Sequence, residues 1–249
     1  MDLNADLGEG FGIWRLGDDE ALLDLVTSAN VACGFHGGDP STMRRVCEGA
    51  AQRRVAVGAQ VGYRDLPGFG RRHIAYDFAE LRDEVTYQLG ALSAFCKLFN
   101  TQVRYLKPHG ALYHAVVTDE AQAAAVVAAV TGHDPELPVL CLPGSMLAQL
   151  AVGAGLPVVA EAFADRGYLP NGALVPRGAP GALITDPDKV ATRALRIATE
   201  RTVVAVDGTV IPCPAASICV HGDTPGAVSA TELVRATLID ADVPLAPFA

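Results

Sequence analysis

Three histidines and a lysine of this 249-residue chain lie in glycine-containing turns, where their side chains could take part in catalysis. His36, His109 and His221 each stand close to a glycine, and Lys107 precedes Pro108 in the sequence KPHG. Histidine exchanges protons near neutral pH, and an ammonium group can stabilise negative charge developing on a carbonyl or phosphoryl oxygen. These residue types indicate acid–base and electrostatic chemistry. The alternative for Lys107 is an ordinary solvated surface lysine.

The elements that must position these residues are predicted from alternating apolar and amphipathic stretches. Seven apolar runs predict strands at 2–6, 28–33, 55–59, 103–106, 139–142, 158–163 and 217–220. Amphipathic stretches predict helices near 18–27, 40–53, 77–99, 119–131, 144–153, 187–200 and 225–240. This order is typical of βα units around a parallel sheet. We therefore expect one barrel-like α/β domain over residues 1–249.

Unusual polar residues follow six of the seven predicted strands. They are Asp6, His36, Asp39, Gln60, Asp65, Lys107, His109, Asp165, Arg166, His221 and Asp223. All strands of a closed parallel barrel end at one face, so this face is the predicted active site. Asp39 could equally be a helix N-cap before Pro40. His114 and Cys219 are predicted to be structural, the cysteine as a small buried hydrophobic residue.

Composition excludes several classes of function. The formal net charge is −9, which disfavours binding to nucleic acid or an anionic membrane surface. Residues 137–160 carry no charge, but prolines and glycines interrupt them, so they predict buried core elements rather than a membrane span. The six cysteines form no C-x-x-C pair and the N-terminus has no secretory pattern, so we expect reduced thiols and a cytoplasmic location.

Common catalytic and nucleotide-binding motifs are missing from the chain. The sequence has no P-loop, no complete dinucleotide fingerprint, no G-x-S-x-G and no H-E-x-x-H. What remains is carboxylate and imidazole chemistry, with or without a metal.

Eight blocks of sequence resemble the LamB/YcsF family. They are DLNADLGEGFG (2–12), SANVACGFHGGDP (28–40), DLPGFGRR (65–72), VTYQLGAL (85–92), KPHGALY (107–113), EAFADRGY (161–168), LVPR (174–177) and CVHGD (219–223). The resemblance implies an irregular seven-stranded TIM-type barrel of the glycoside hydrolase/deacetylase type. It also implies ATP-dependent opening of 5-oxo-L-proline to L-glutamate, with two partner subunits, B and C.

The resemblance suggests a division of labour, because this chain carries no nucleotide motif. The partner subunits would activate the lactam with ATP, and this chain would perform the hydrolytic ring opening. We predict acid–base roles for Asp6, His36 and Asp165, and electrostatic roles for Lys107, His109 and Arg166. Substrate binding is predicted for Asn4, Glu9, Asp39, Arg166, His221 and Asp223, with His221 and Asp223 as an orienting pair and Arg166 alternatively as a carboxylate clamp.

Gln60 departs from the family pattern, because many relatives read GAHP where this chain reads GAQV. Glutamine does not titrate near neutral pH and is a weak metal ligand. Asp6, His36 and His109 could still hold a divalent ion, although no local spacing requires one, so a metal stays open. Two other functions are open besides ring opening within a complex: a stand-alone metal-dependent amidohydrolase or deacetylase, and a non-catalytic lactam-binding subunit.

Overall fold

Seven parallel strands close into a barrel in the computed structural model, which describes residues 1–249. The protein has nine strands in all, which in chain order are β1 Asp2–Leu7, β2 Ser28–Ala32, β3 Ala56–Val61, β4 Val103–Pro108, β5 Val139–Cys141, β6 Val158–Phe163, β7 Thr202–Val204, β8 Val210–Pro212 and β9 Ser217–Val220. The barrel runs from β1 to β6, and β9 closes it by pairing with both β6 and β1. All seven predicted strands and the predicted α/β barrel are thus confirmed.

Eight helices surround the barrel. They are α1 Asp19–Leu23, α2 Pro40–Arg53, α3 Phe78–Leu98, α4 Gly110–Ala115, α5 Glu120–His133, α6 Met146–Gly153, α7 Pro187–Glu200 and α8 Ala227–Asp240. Seven were predicted, α1 being shorter than expected, whereas the short helix α4 was not. None of the eight is long and apolar enough to cross a membrane.

Side-chain caps explain where several helices begin. Asp39 accepts hydrogen bonds from the backbone N–H groups of Ser41 and Thr42 at 2.8 and 3.1 Å, at the start of α2. Asp77 accepts from the N–H of Glu80 at 2.8 Å, at the start of α3. These bonds satisfy N–H groups that have no partner within the helix.

The antiparallel pair β7–β8 lies outside the barrel and was not predicted. Its connection contains Asp207 and Gly208, and Gly208 has a left-handed φ of +91°. Asp207 Oδ1 also accepts a hydrogen bond from the Thr209 N–H at 3.0 Å. Asp-Gly between valine-rich runs is a strong hairpin signal, so the sequence held the information for this element.

A buried polar column fills part of the barrel interior. Side chains of a strand alternate between its two faces, and in β1 Leu3, Ala5 and Leu7 belong to the apolar core of 60 buried residues. The alternate residues and their hydrogen-bonded neighbours form the column, whose members are Asp2, Asn4, Asp6, Ser28, Asn30 and Ser217. Buried polar groups cost free energy unless they are paired. The hydrogen bonds among these six residues offset this cost and hold their side chains in place beneath the carboxyl-terminal end of the barrel.

Candidate active site

A pocket opens at the carboxyl ends of the barrel strands. Five residues singled out in the sequence line it: Asp6, Lys107, His109, Arg166 and His221. They come from β1, β4, the loop after β4, the loop after β6 and the loop after β9, so barrel closure brings distant parts of the chain together. The apolar part of the wall includes Phe163 and Leu174.

Lys107 lies buried among carboxylates at the base of this pocket. Its Nζ is 2.6 Å from Glu161 Oε1 and 3.2 Å from Asp6 Oδ1, and only 2% of the residue is exposed. The alternative of a surface lysine is therefore wrong. Burial alone would lower the pKa of Lys107, but the two carboxylates hold this pKa well above its ordinary value. Lys107 consequently stays an ammonium ion.

Asp6 is held in its ionised form by the same cluster. Burial alone would raise the pKa of Asp6, but Lys107 and a hydrogen bond from Asn30 lower it. Asn30 Nδ2 donates to Asp6 Oδ1 at 2.8 Å, so this oxygen is anchored, while Oδ2 makes no hydrogen bond. An ionised carboxylate with one free oxygen can accept a proton or orient a water molecule, but it cannot act as a general acid.

Glu161 completes the cluster and was missed in the sequence. Its Oε2 accepts a hydrogen bond from Tyr113 Oη at 3.0 Å, and its burial raises its pKa, an effect that Lys107 opposes. The available signal was a single charged residue inside the apolar run VVAEAF. Cys219 was also underestimated: its Sγ lies 3.1 Å from Lys107 Nζ, so it contacts the charged cluster.

A second cluster pairs His221 with Asp165. His221 Nδ1 lies 3.0 and 2.9 Å from the two Asp165 carboxylate oxygens, and the His221 backbone N–H donates to Oδ2 at 2.9 Å. Burial alone would raise the pKa of Asp165, but these contacts with His221 lower it. A carboxylate at Nδ1 favours the tautomer protonated there, which leaves Nε2 free to accept a proton.

The predicted pairing of His221 with Asp223 is wrong. Asp223 Oδ2 instead accepts a hydrogen bond from Arg71 Nη2 at 2.5 Å. Arg71 belongs to the 65–72 loop after β3, and its guanidinium also lies over the Phe69 ring, 4.7 Å from the centroid. Asp223 therefore ties two loops together at the rim, whereas Asp165 orients the imidazole.

His36 and His109 form a buried stacked pair beside the pocket. Their ring centroids are 4.0 Å apart with an interplanar angle of 18°, and His36 Nε2 is 3.1 Å from Gln60 Oε1. Burial lowers the pKa of His36 to about 4 and that of His109 well below its ordinary value. Gly70 covers the pair at a φ of +65°, and a Cβ there would lie 2.7 Å from His36 Cβ. The site therefore requires glycine at position 70.

Glu9, His36 and His109 could hold a metal ion. Their ligand atoms lie within 4.8 Å of one another, and all three residues are buried. Nδ1 of each histidine has no hydrogen-bond partner, and burial together with neighbouring carboxylates raises the pKa of Glu9 well above its ordinary value. Two histidines and one carboxylate form a donor set found at catalytic zinc sites. The residues present therefore fit a divalent cation, with Glu9 in place of the predicted Asp6.

We expect Zn²⁺ to bind to this triad in chelator-treated protein, because Nδ1 of both buried histidines lacks another partner. Glu9→Gln is expected to weaken binding at least about tenfold, measured by isothermal titration calorimetry. The same exchange at exposed Glu136 should leave the affinity unchanged. Equal affinities of the wild type and Glu9→Gln, or no binding by the wild type, would contradict this assignment.

The other predicted substrate-binding residues lie outside the pocket or are already bonded. Asn4 lies deeper in the barrel, where it donates to Ser217 Oγ at 2.6 Å. Both carboxylate oxygens of Asp39 are occupied by the start of α2 and by the Gly12 N–H, which favours the capping alternative. Arg166 donates to the backbone carbonyls of Val175 and Ala182 at 2.7 and 3.0 Å. This arginine stabilises the 167–183 loop, so few of its guanidinium N–H groups remain free to bind a substrate.

Two residues of the pocket wall escaped the sequence analysis. His114, predicted to be structural, lines the pocket, as does Arg177 from the LVPR block. His114 lies in the short helix α4, which was not predicted, and Arg177 lies on the long connection between β6 and α7. Neither residue stands at a strand end, so no signal in the sequence indicated its approach to the pocket.

Comparison with known proteins places this chain among close relatives. Residues 1–249 match the LamB/YcsF family. The 5-oxoprolinase A subunit of Streptomyces avermitilis is 59% identical over 249 residues, which cover all of both chains. The 5-oxoprolinase A subunit of Mycolicibacterium gilvum is 56% identical over 248 residues, covering 100% of this chain and 98% of the relative.

Solved structures agree with this result. A lactam utilization protein from Thermus thermophilus superposes with a TM-score of 0.95 at 45% identity, covering 100% of this chain and 99% of the other. A putative cellobiose-phosphate cleavage protein from Enterococcus faecalis, with a TM-score of 0.55 and 11% identity, shares the fold alone, over 98% of this chain and 95% of its own. Together with the match over the whole sequence, these findings show that the chain belongs to the LamB/YcsF family.

Proposed function

We propose that this chain performs the hydrolytic step in the ATP-dependent opening of 5-oxo-L-proline to L-glutamate. The observation that carries the proposal is the Asp165–His221 pair, which leaves a proton-accepting nitrogen on the wall that Lys107 and Asp6 share. The names of the relatives, 5-oxoprolinase A subunit and lactam utilization protein, support a lactam as the substrate.

The proposed reaction uses His221 first as a base and then as an acid. Nε2 takes a proton from water while the water oxygen bonds to the lactam carbonyl carbon. The ring C–N bond then breaks, and the imidazolium returns the proton to the departing nitrogen. Asp165 keeps the ring oriented and stabilises its positive charge during the cycle.

The cluster of Lys107, Asp6 and Glu161 supplies a fixed electrostatic environment. Lys107 remains charged and buried, so its field is not screened by water and needs no reorganisation during the reaction. Asp6, which lines the pocket and has a free Oδ2, is proposed to orient the attacking water. Burial lowers the pKa of His36 to about 4 and that of His109 well below its ordinary value, which argues against acid catalysis by either one.

ATP is proposed to act through partner subunits B and C rather than through this chain. Amide resonance makes a five-membered lactam a poor electrophile, and transfer of the γ-phosphoryl group of ATP to the lactam oxygen, with release of ADP, would activate the carbonyl carbon. Ring opening then leaves the phosphate on the new carboxyl group, and a second water molecule releases it as inorganic phosphate. The sequence has no nucleotide motif of its own. A surface for partners is available in the turn at residues 11–16, where Ile13 is 90% and Trp14 67% exposed. We place the complex in the cytoplasm, a setting that suits six free buried cysteines.

Glutamate release from 5-oxo-L-proline tests the proposal, with the chain alone and with its partner subunits, each with and without ATP and a chelator. We expect glutamate only when ATP and the partners are present. Because Glu9, His36 and His109 fit a metal, a stand-alone metal-dependent amidohydrolase is the second candidate. Amide hydrolysis without ATP that a chelator abolishes would favour that candidate and contradict the proposal.

A further inference from the structure

Three cationic side chains line the inner pocket, and two of them already have partners. Lys107 is paired with Asp6 and Glu161, at 3.2 and 2.6 Å. Arg166 is buried and donates to two backbone carbonyls. Arg177 differs from both, because its guanidinium makes no hydrogen bond and no ion pair anywhere in the protein.

The position of Arg177 is that of a ligand-binding group. It lines both the inner pocket and a neighbouring outer pocket, so it lies where the two meet. The residue is only partly exposed. Asp223, a nearby carboxylate, is occupied by Arg71 at 2.5 Å. Desolvating a guanidinium costs free energy, which a bound anion would offset.

The other side chains on this side of the pocket supply neither an anion to pair with Arg177 nor a second free positive charge. Burial and the charges of Arg166 and Arg177 lower the pKa of His114 to about 4, so this histidine is neutral at pH 7. Tyr113 is engaged with Glu161. The pocket therefore holds one uncommitted positive charge, and its planar fork of N–H donors matches a carboxylate.

We propose that Arg177 binds the carboxylate of the lactam substrate and so makes the site specific for amino-acid lactams. This inference rests on the proposed function. In 5-oxo-L-proline the carboxylate is carried by the carbon next to the ring nitrogen, on the side away from the carbonyl. With the lactam amide at His221 and Lys107, the carboxylate can extend toward the junction of the two pockets, where Arg177 lies. We thus assign to Arg177 the carboxylate-binding role that was predicted as an alternative for Arg166.

The test compares 5-oxo-L-proline with 2-pyrrolidinone, the same lactam without a carboxylate, in the three-subunit complex with ATP. Arg177→Gln is expected to lower kcat/KM for 5-oxo-L-proline about 10- to 100-fold, in line with the loss of a charged hydrogen bond. For 2-pyrrolidinone it should leave kcat/KM nearly unchanged. Arg177→Lys should lie between these values, because it keeps the charge but loses the fork. Arg104→Gln, on an exposed residue near the start of β4, is the matched control.

Equilibrium binding of 5-oxo-L-proline to the isolated chain distinguishes failure of this inference from failure of the proposed function. We expect weaker binding by Arg177→Gln than by the wild type or Arg104→Gln. If the wild-type complex opened neither lactam but this binding difference persisted, the proposed function would fail and the inference would stand. Equal binding by the wild type and Arg177→Gln, absence of binding by the wild type, or an equal loss of kcat/KM for both lactams would overturn the inference.

Discussion

A complex that carries His221→Asn is expected to release glutamate about 10²- to 10⁴-fold more slowly than the wild type, the usual contribution of a general acid–base group. Asparagine keeps a polar side chain in the buried site but has no nitrogen that titrates. Because Asp165 occupies Nδ1 of the native ring, the loss falls on Nε2, the proposed proton acceptor. The effect should appear in kcat measured at saturating 5-oxo-L-proline and ATP.

The activity of a double variant tests whether Asp165 and His221 act as a unit or independently. Asp165→Asn should also slow ring opening, since the neutral amide no longer fixes the tautomer or stabilises the imidazolium. The double variant should be little worse than His221→Asn alone, because the two side chains act as a unit. His133→Asn, on an exposed histidine, should not change kcat. Multiplied losses in the double variant would show that Asp165 and His221 act separately.

Replacing Lys107 by methionine is expected to destabilise the protein by about 3–5 kcal/mol, besides removing activity. The substitution leaves Asp6 and Glu161 buried without their shared cation. Uncompensated buried charge costs more than the lysine side chain contributes by packing. Urea unfolding monitored by circular dichroism measures the change in the free energy of unfolding.

A second substitution tests whether charge is the cause. Lys107→Met combined with Glu161→Gln should regain part of the stability, because one of the two unpaired carboxylates is gone, but it should not regain activity. Lys189→Met, on a largely exposed lysine of α7, should change stability by less than about 0.5 kcal/mol. Unchanged stability of Lys107→Met would contradict the assigned ion cluster.

The barrel could be predicted because its strands are short apolar runs between clear helix-start signals. The run at 28–32 and the helix from Pro40 are examples, and Asp39 marks the boundary of that helix in the sequence. Short elements were harder. Helix α4 has only six residues and His109 gives it no side-chain cap. Neither hydrophobic periodicity nor a capping residue therefore predicts this helix from the sequence.

The candidate site could be predicted in part, for a physical reason. Residues at or after strand ends, such as Asp6, His109 and His221, reach one face whenever a parallel barrel closes. Glu161 and Asn30 could not be found in this way, because they lie within strands and point into an interior that is usually apolar. The partner of His221 depends on the path of two loops, and sequence proximity wrongly favoured Asp223 over Asp165.

The most direct measurement of the central claim is single-turnover glutamate formation from labelled 5-oxo-L-proline and ATP. Three samples are compared: the partner subunits alone, the partners with the wild-type chain, and the partners with the His221→Asn chain. We predict rapid glutamate formation only with the wild-type chain. Formation at the wild-type rate by the partners alone, or with His221→Asn, would contradict the claim that this chain opens the ring.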